Sequence, residues 1–322
     1  MMKNDFISCK WQFAPLQSFH AGERKTNMRY LLKNERLKLI FDTLGGTLTS
    51  FQADGTEYLW QGDPAFWSGQ SPVMFPICGS LNGDAAEICG SKICTMGRHG
   101  FARSMEFECA GAGDESIAFT LSANQETLKK YPCDFRLTIR YDMLTNGIRF
   151  CYDIENRGKE RMPFFVGGHP AFRCPISQGE NYSDYEIEFE KKETADCACL
   201  WEQNRKLLDA EHKRRILDDE NHLTLSHELF RDDALVFDSL RSRSLRYQNR
   251  KTGQGLKVDF SDFPYLVLWS SDNGGNFIAI EPWLGLPDRS DNDGVFEHKE
   301  NVQYAEPGET KHYSFTVTVL DN

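Results

Sequence analysis

The 322-residue sequence predicts an all-β protein, a large antiparallel β-sandwich with a few short helices. Three observations carry this. Runs with strand character recur at short intervals from Met28 onward. A sharp hairpin signal sits at mid-chain, where FRLTIRYDML and IRFCYDIE alternate apolar and polar residues on either side of Thr145-Asn146-Gly147. No strand–helix–strand rhythm, internal repeat or low-complexity linker interrupts the pattern.

In chain order, residues 1–27 carry neither a period of 2 nor one of 3.6. They read as an N-terminal extension dispensable for the fold, either loosely attached or upstream sequence read through from a misassigned start. A single domain is expected over 28–322. Leu37–Phe41 and Thr47–Ala53 are its first clear strands, with Gly45-Gly46 between them, followed by Met105–Cys109 and Ser116–Ser122. Asn124–Tyr131 reads as a short helix stopped by Pro132, which has no N–H to continue it. Phe135–Leu144 and Ile148–Glu155 are the hairpin pair, and Asn-Gly suits their turn because both residues tolerate φ > 0. Tyr185–Phe189, Leu256–Phe260, Tyr265–Ser270, Phe277–Ile280 and Tyr313–Leu320 are further strands, and His227–Asp232 is a second short helix. So many strands exceed one open sheet, and two large antiparallel sheets packed face to face are expected.

Composition narrows the function. Apolar residues make 40% of the chain and aromatic residues 12%, ample for a packed core. A net charge of −11 (37 Lys+Arg against 48 Asp+Glu) and a pI near 5.3 argue against a nucleic-acid surface. Mean hydropathy is −0.54, and no apolar run approaches the ~18 residues of a membrane span. The ten cysteines include no Cys-x-x-Cys, and Cys197-x-Cys199 stands alone, so they read as free thiols of a reducing compartment. The N-terminal residues contain no secretory apolar stretch. A soluble, cytoplasmic protein is expected, with no nucleic-acid or membrane partner.

Three segments place titratable residues inside tight Gly/Pro-rich turns: Arg98-His99-Gly100-Phe101-Ala102-Arg103, Gly167-Gly168-His169-Pro170-Ala171-Phe172, and Ile280-Glu281-Pro282-Trp283-Leu284-Gly285-Leu286-Pro287-Asp288. Loops on a rigid β scaffold are where binding groups concentrate. Taken singly, each has an ordinary structural explanation: a satisfied histidine in a turn, a solvated Glu at a strand end, a core Trp. Metal-ligand spacing of the H-E-x-x-H kind is absent, as are a G-x-S-x-G elbow, a phosphate-binding P-loop and a dinucleotide fingerprint.

In order along the chain, however, the segments resemble the aldose 1-epimerase (galactose mutarotase-like) family, in particular its shorter bacterial branch. The resemblance rests on Asn34-Glu35-Arg36-Leu37, Glu57-Tyr58-Leu59-Trp60-Gln61-Gly62, Ser71-Pro72-Val73-Met74-Phe75-Pro76, His99-Gly100-Phe101-Ala102-Arg103 and Gly168-His169-Pro170-Ala171-Phe172. It continues through Asp233-Ala234-Leu235-Val236-Phe237, Glu281-Pro282-Trp283-x-Gly285-x-Pro287-Asp288 and Pro307-Gly308-Glu309.

The resemblance implies a galactose mutarotase-like supersandwich with a carbohydrate cleft. It also implies interconversion of the α and β anomers of an aldose, free or phosphorylated, with no metal or organic cofactor. Anomerisation needs one proton taken from the C1 hydroxyl and one given to the ring oxygen, work for a carboxylate and an imidazole on opposite sides of the pyranose. By resemblance Glu281 is the base and His169 the acid, a neighbouring carboxylate holding the imidazole near neutrality. His99 and Asp233 would bind sugar oxygens, and Trp283 would offer a stacking face. One departure stands out: where the family carries an Arg after Phe-Pro-x-x-Gly, this chain has Ser80, expected to meet the sugar with a hydroxyl in place of the family's guanidinium, which Ser80→Arg would restore. Arg103, and secondarily Arg98, would supply positive charge instead, as a hexose-6-phosphate 1-epimerase would need. A binding protein without turnover is the alternative of another class.

Overall fold

The computed structural model describes residues 28–90, 92–200 and 207–321. The expected extension 1–27 lies outside the described residues. Almost all regular structure is antiparallel β: a fifteen-stranded sheet, a four-stranded sheet and two two-stranded ribbons.

The expectation of two separate large sheets needs correcting. One hydrogen-bonded ladder runs through fifteen strands and folds back on itself, so both faces of the sandwich belong to the same sheet. Gly167–Gly168 stands second along the main path and Thr310–Val319 ninth. Nevertheless, a Cβ on Gly168 would lie only 2.6 Å from the Phe315 ring. A strongly twisted sheet of this many strands curls, and here the curl closes over the core. The four-stranded sheet, Arg29–Lys33 to Thr56–Glu57, packs on one flank, with Phe41 against Tyr141 at 4.8 Å between ring centres.

Where alternation was strong, the strands are as read: Leu37–Asp42, Thr47–Ala53, Ser116–Ser122, and Phe135–Met143 paired with Gly147–Asn156. The strand expected over Met105–Cys109 is instead Glu108–Ala112, because Ala102–Ser104 forms a 3-10 turn just before it. The helix expected over Asn124–Tyr131 shrinks to Thr127–Lys130, with Asn124 Oδ1 accepting from the Thr127 N–H at 3.0 Å. The second expected helix is a 3-10 turn, His227–Phe230. The strand read as Tyr185–Phe189 continues to Cys199. It pairs with an unforeseen sixteen-residue strand, Asp209–Thr224. That partner is mostly charged and exposed; Leu217 and Leu223 are its fully buried apolar side chains. Its register comes from backbone pairing, so it has no apolar alternation to read, and its charges suit an edge strand.

Candidate active site

The last third of the chain builds one wall of the cleft. Tyr265–Trp269 and Phe277–Trp283 run antiparallel, with Val267 opposite Glu281, Trp269 opposite Ala279 and Tyr265 opposite Trp283. Alternate residues share a face, so Val267, Trp269, Glu281 and Trp283 all look into the same space. All seven residues of Phe277–Trp283 are buried, and Glu281 is only 1% exposed. Across from this strand, Gly167 pairs with Trp283 and Ala171 with Ala279, which carries His169 to Glu281. Gly168 leaves no room for a side chain beneath the turn, so His169 is delivered by close backbone packing.

The third contribution is the loop 97–104. His99 and Gly100 have φ of 67° and 72°, and a Cβ on Gly100 would come 2.2 Å from the Phe75 carbonyl oxygen, so only glycine fits. His99 is pinned twice to Gly79: its N–H donates to the Gly79 carbonyl at 2.8 Å and its Nδ1 accepts the Gly79 N–H at 3.1 Å. An accepting Nδ1 assigns the ring proton to Nε2.

These elements enclose an open cleft of about 230 Å³ lined by Trp67, Arg98, His99, Arg103, His169, Ala234, Val267, Trp269, Glu281 and Trp283. The volume suits a small polar molecule rather than a drug-sized one. At its floor His169 Nε2 lies 3.4 Å from Glu281 Oε2, and the Trp283 Nε1–H donates to the same oxygen at 3.1 Å. Trp67 stacks on the His169 ring at 4.8 Å with 19° between planes, and Trp269 meets it edge-on at 5.8 Å. Arg98 pairs with Asp233 at 3.6 Å, and Arg103 donates to the Arg98 carbonyl at 3.1 Å. Among the described residues no carboxylate pairs with Arg103, and no three His, Cys, Asp or Glu side chains converge as metal ligands do.

Of the seven residues singled out in sequence, His99, Arg103, His169, Glu281 and Trp283 line the cleft together. Asp233 is set back: Ala234 lines the cleft, while the Asp233 carboxylate faces Arg98. Ser80 does not line it. The Ser80 side chain is buried, and its carbonyl accepts the Asp288 N–H at 2.8 Å, behind the wall where Asp288 and Lys299 form a buried ion pair. Four lining residues, Trp67, Ala234, Val267 and Trp269, were not singled out from the sequence. Trp269 was findable by following the alternation from Val267. Trp67 stands in an irregular loop with no local signal.

Two expectations about the pair change. His169 and Glu281 stand side by side, so no pyranose fits between Nε2 and Oε2, and the opposite-sides arrangement is not what this cleft has. Nor is the imidazole near neutrality. Burial pushes it down to about 3, the Arg98 guanidinium adding to the effect. Burial pushes Glu281 well above the usual carboxylate range, against the pull of Arg98 and the Trp283 N–H. Both shifts favour the neutral forms of the two groups. His99 is also held well below its ordinary value, by burial first and then by Arg98.

Three stretches of the chain far apart in sequence thus bring a buried Glu–His pair, tryptophan walls and two arginines to one cleft of a folded-back β-sandwich. The chain belongs to the aldose 1-epimerase family, whose model matches residues 28–300. It is 40% identical over 296 residues to the plasmid-encoded protein LacX of Lactococcus lactis subsp. lactis, covering 90% of this chain and 99% of that one. A galactose mutarotase related enzyme from Lactobacillus acidophilus superposes with a TM-score of 0.85 at 32% identity, over 91% of this chain and 98% of the other. A galactose mutarotase-like protein from Lactobacillus casei gives 0.80 at 27%, over 91% and 100%. Among the described residues no helix is long and apolar enough to cross a membrane.

Proposed function

We propose that this chain is an aldose 1-epimerase of cytoplasmic carbohydrate metabolism, exchanging the α and β anomers of its sugar with Glu281 and His169 as the proton-transfer pair and without metal or organic cofactor. The observation that carries the reading is the buried contact of 3.4 Å between His169 Nε2 and Glu281 Oε2 at the floor of an otherwise open cleft. O1 and O5 of an aldose are both bonded to C1, so an acid and a base lying side by side can serve both from one edge of the ring. Glu281 takes the O1 proton while His169 gives one to O5, and the C1–O5 bond breaks. The aldehyde then turns about C1–C2 and recloses on its other face. The proton that burial favours on Glu281 sits on His169 in this working state. The Trp67 face over the imidazole favours its cationic form, and the His99 Nε2–H offers a donor to a ring oxygen.

A second reading, an epimerase of phosphorylated hexoses, is favoured by Arg98 and Arg103 on the cleft wall. NMR saturation exchange with glucose, galactose and their 6-phosphates distinguishes the two. Exchange on the neutral sugars supports the first, exchange confined to the phosphates supports the second, and binding without exchange on any of them overturns both.

A further inference from the structure

Away from the cleft, the two-stranded ribbon Ala85–Ile88 and Lys92–Thr95 carries Cys89 at its turn. The Cys89 sulfur lies 3.4 Å from that of Cys133, which follows the helical turn Thr127–Lys130 forty-four residues on. We propose that Cys89 and Cys133 form an oxidisable dithiol, a modification site at which a peroxide converts two thiols into one cross-link.

Access and geometry both support it. Cys89 is half-buried whereas Cys133 is only 7% exposed, so an oxidant reaches the first sulfur and the second waits behind it. Cys89 has a φ of 56°, a conformation that non-glycine residues seldom adopt, and its N–H donates to Glu297 Oε1 at 2.7 Å. On the other side, the Tyr131 hydroxyl donates to the Pro163 carbonyl at 2.6 Å and the Arg157 N–H to the Asp134 carbonyl at 2.8 Å, which fixes the segment bearing Cys133. Both anchors fix the segments whose sulfurs meet at 3.4 Å, and these must close to the ~2.05 Å of a disulfide. The contact with Cys133 favours the Cys89 thiolate, against burial and the nearby Glu297 and Glu160 carboxylates. Cys78, Cys174 and Cys197 are buried, and burial raises each of them.

The chemistry balances with hydrogen peroxide as the two-electron oxidant. The Cys89 thiolate attacks one peroxide oxygen, the O–O bond breaks, and a sulfenic acid and hydroxide result. The Cys133 sulfur then attacks the Cys89 sulfur. The S–S bond forms, the S–O bond breaks, and the departing hydroxide leaves as water with the Cys133 proton. In a reducing compartment such a bond is transient and sensing rather than structural. Its place gives it reach, because the ribbon runs through Met96 and Gly97 directly into Arg98 and His99.

The test treats the reduced full chain with graded hydrogen peroxide and maps its peptides without reduction, with intact mass as the second readout. Wild type is expected to lose two hydrogens per chain, with the first cross-link joining the peptides of Cys89 and Cys133 and reversing with dithiothreitol. Cys89→Ser is expected to abolish that cross-link. Cys133→Ala is expected to stop at a Cys89 sulfenic acid that dimedone traps. The assignment is overturned if another cysteine, Cys9, Cys109 or Cys199 included, is oxidised first in wild type, or if Cys89 stays unmodified while others react. The wild-type map alone decides this, so a poorly folding variant does not obscure it.

Discussion

His169 and Glu281 face each other across one antiparallel register. Gly167 stands opposite Trp283 and Ala171 opposite Ala279, so the residue midway along each side meets its counterpart. Pro170 has no N–H to give the ladder, but its carbonyl accepts the Ile280 N–H at 3.0 Å and keeps the two backbones in step. The proposed proton-transfer pair is thus placed by main chain on both sides.

Glu281→Gln is expected to lower anomerisation by about 10²–10⁴-fold, the usual contribution of a positioned base. Sugar binding should survive, because the amide keeps the shape and can still accept from the Trp283 N–H. Saturation exchange beside a binding titration checks this, and wild-type exchange in the variant would remove Glu281 from the reaction.

Trp67→Leu is expected to lower kcat by roughly 5–30-fold, the loss of a cation–π contribution of about 1–2 kcal/mol over the imidazolium, with little change in KM. Trp67→Phe should recover part of it. A rise in KM with kcat intact would instead make Trp67 a platform for the sugar.

The buried histidine gives the stability a signed pH dependence. An unfolded His takes up a proton near pH 6.5, whereas His169 does so only at about 3. Between those values the unfolded chain holds the extra proton, so stability falls as pH drops through this window. Glu281, raised in the fold, acts with the opposite sign: its contribution is present below pH 4.5 and is lost as pH rises through its folded value. In His169→Gln the thermal midpoint should therefore fall less steeply from pH 6 to 4 than in wild type. Equal slopes would mean that the native imidazole already carries its proton there.

Ser80→Arg, attractive from sequence, is expected to lower the thermal midpoint and to bring no gain in turnover. The new guanidinium would replace a buried side chain next to a wall already holding the Asp288–Lys299 pair, and an unpaired buried charge is costly. An unchanged midpoint with faster exchange would show that position 80 reaches the sugar after all.

The fold class was legible because alternation is a local signal wherever one face is buried and the other wet, as in Phe135–Met143. Asp209–Thr224 shows where that signal fails, since its partner strand rather than its own apolar face holds it in place. His99, His169 and Glu281 were legible because each has glycine or proline beside it in an ordered set of motifs, although Glu281 lies within the strand Phe277–Trp283 rather than in a turn. Their side-by-side placement and the depressed His169 depend on register and burial, which arise only when segments more than a hundred residues apart are packed together. Trp67 was invisible for the same reason: what makes it matter is the ring beneath it.

The ladder also orders events during synthesis. Thr310–Val319, the final strand, lies in the middle of the large sheet, between Gly147–Asn156 and Gly255–Asp259. Until the ribosome releases that strand, the two halves of the ladder have no shared neighbour there, and both present open edges. A nascent chain of this protein cannot close the ladder before Thr310–Val319 has emerged, so both open edges stay exposed to misassembly while everything before that strand is made.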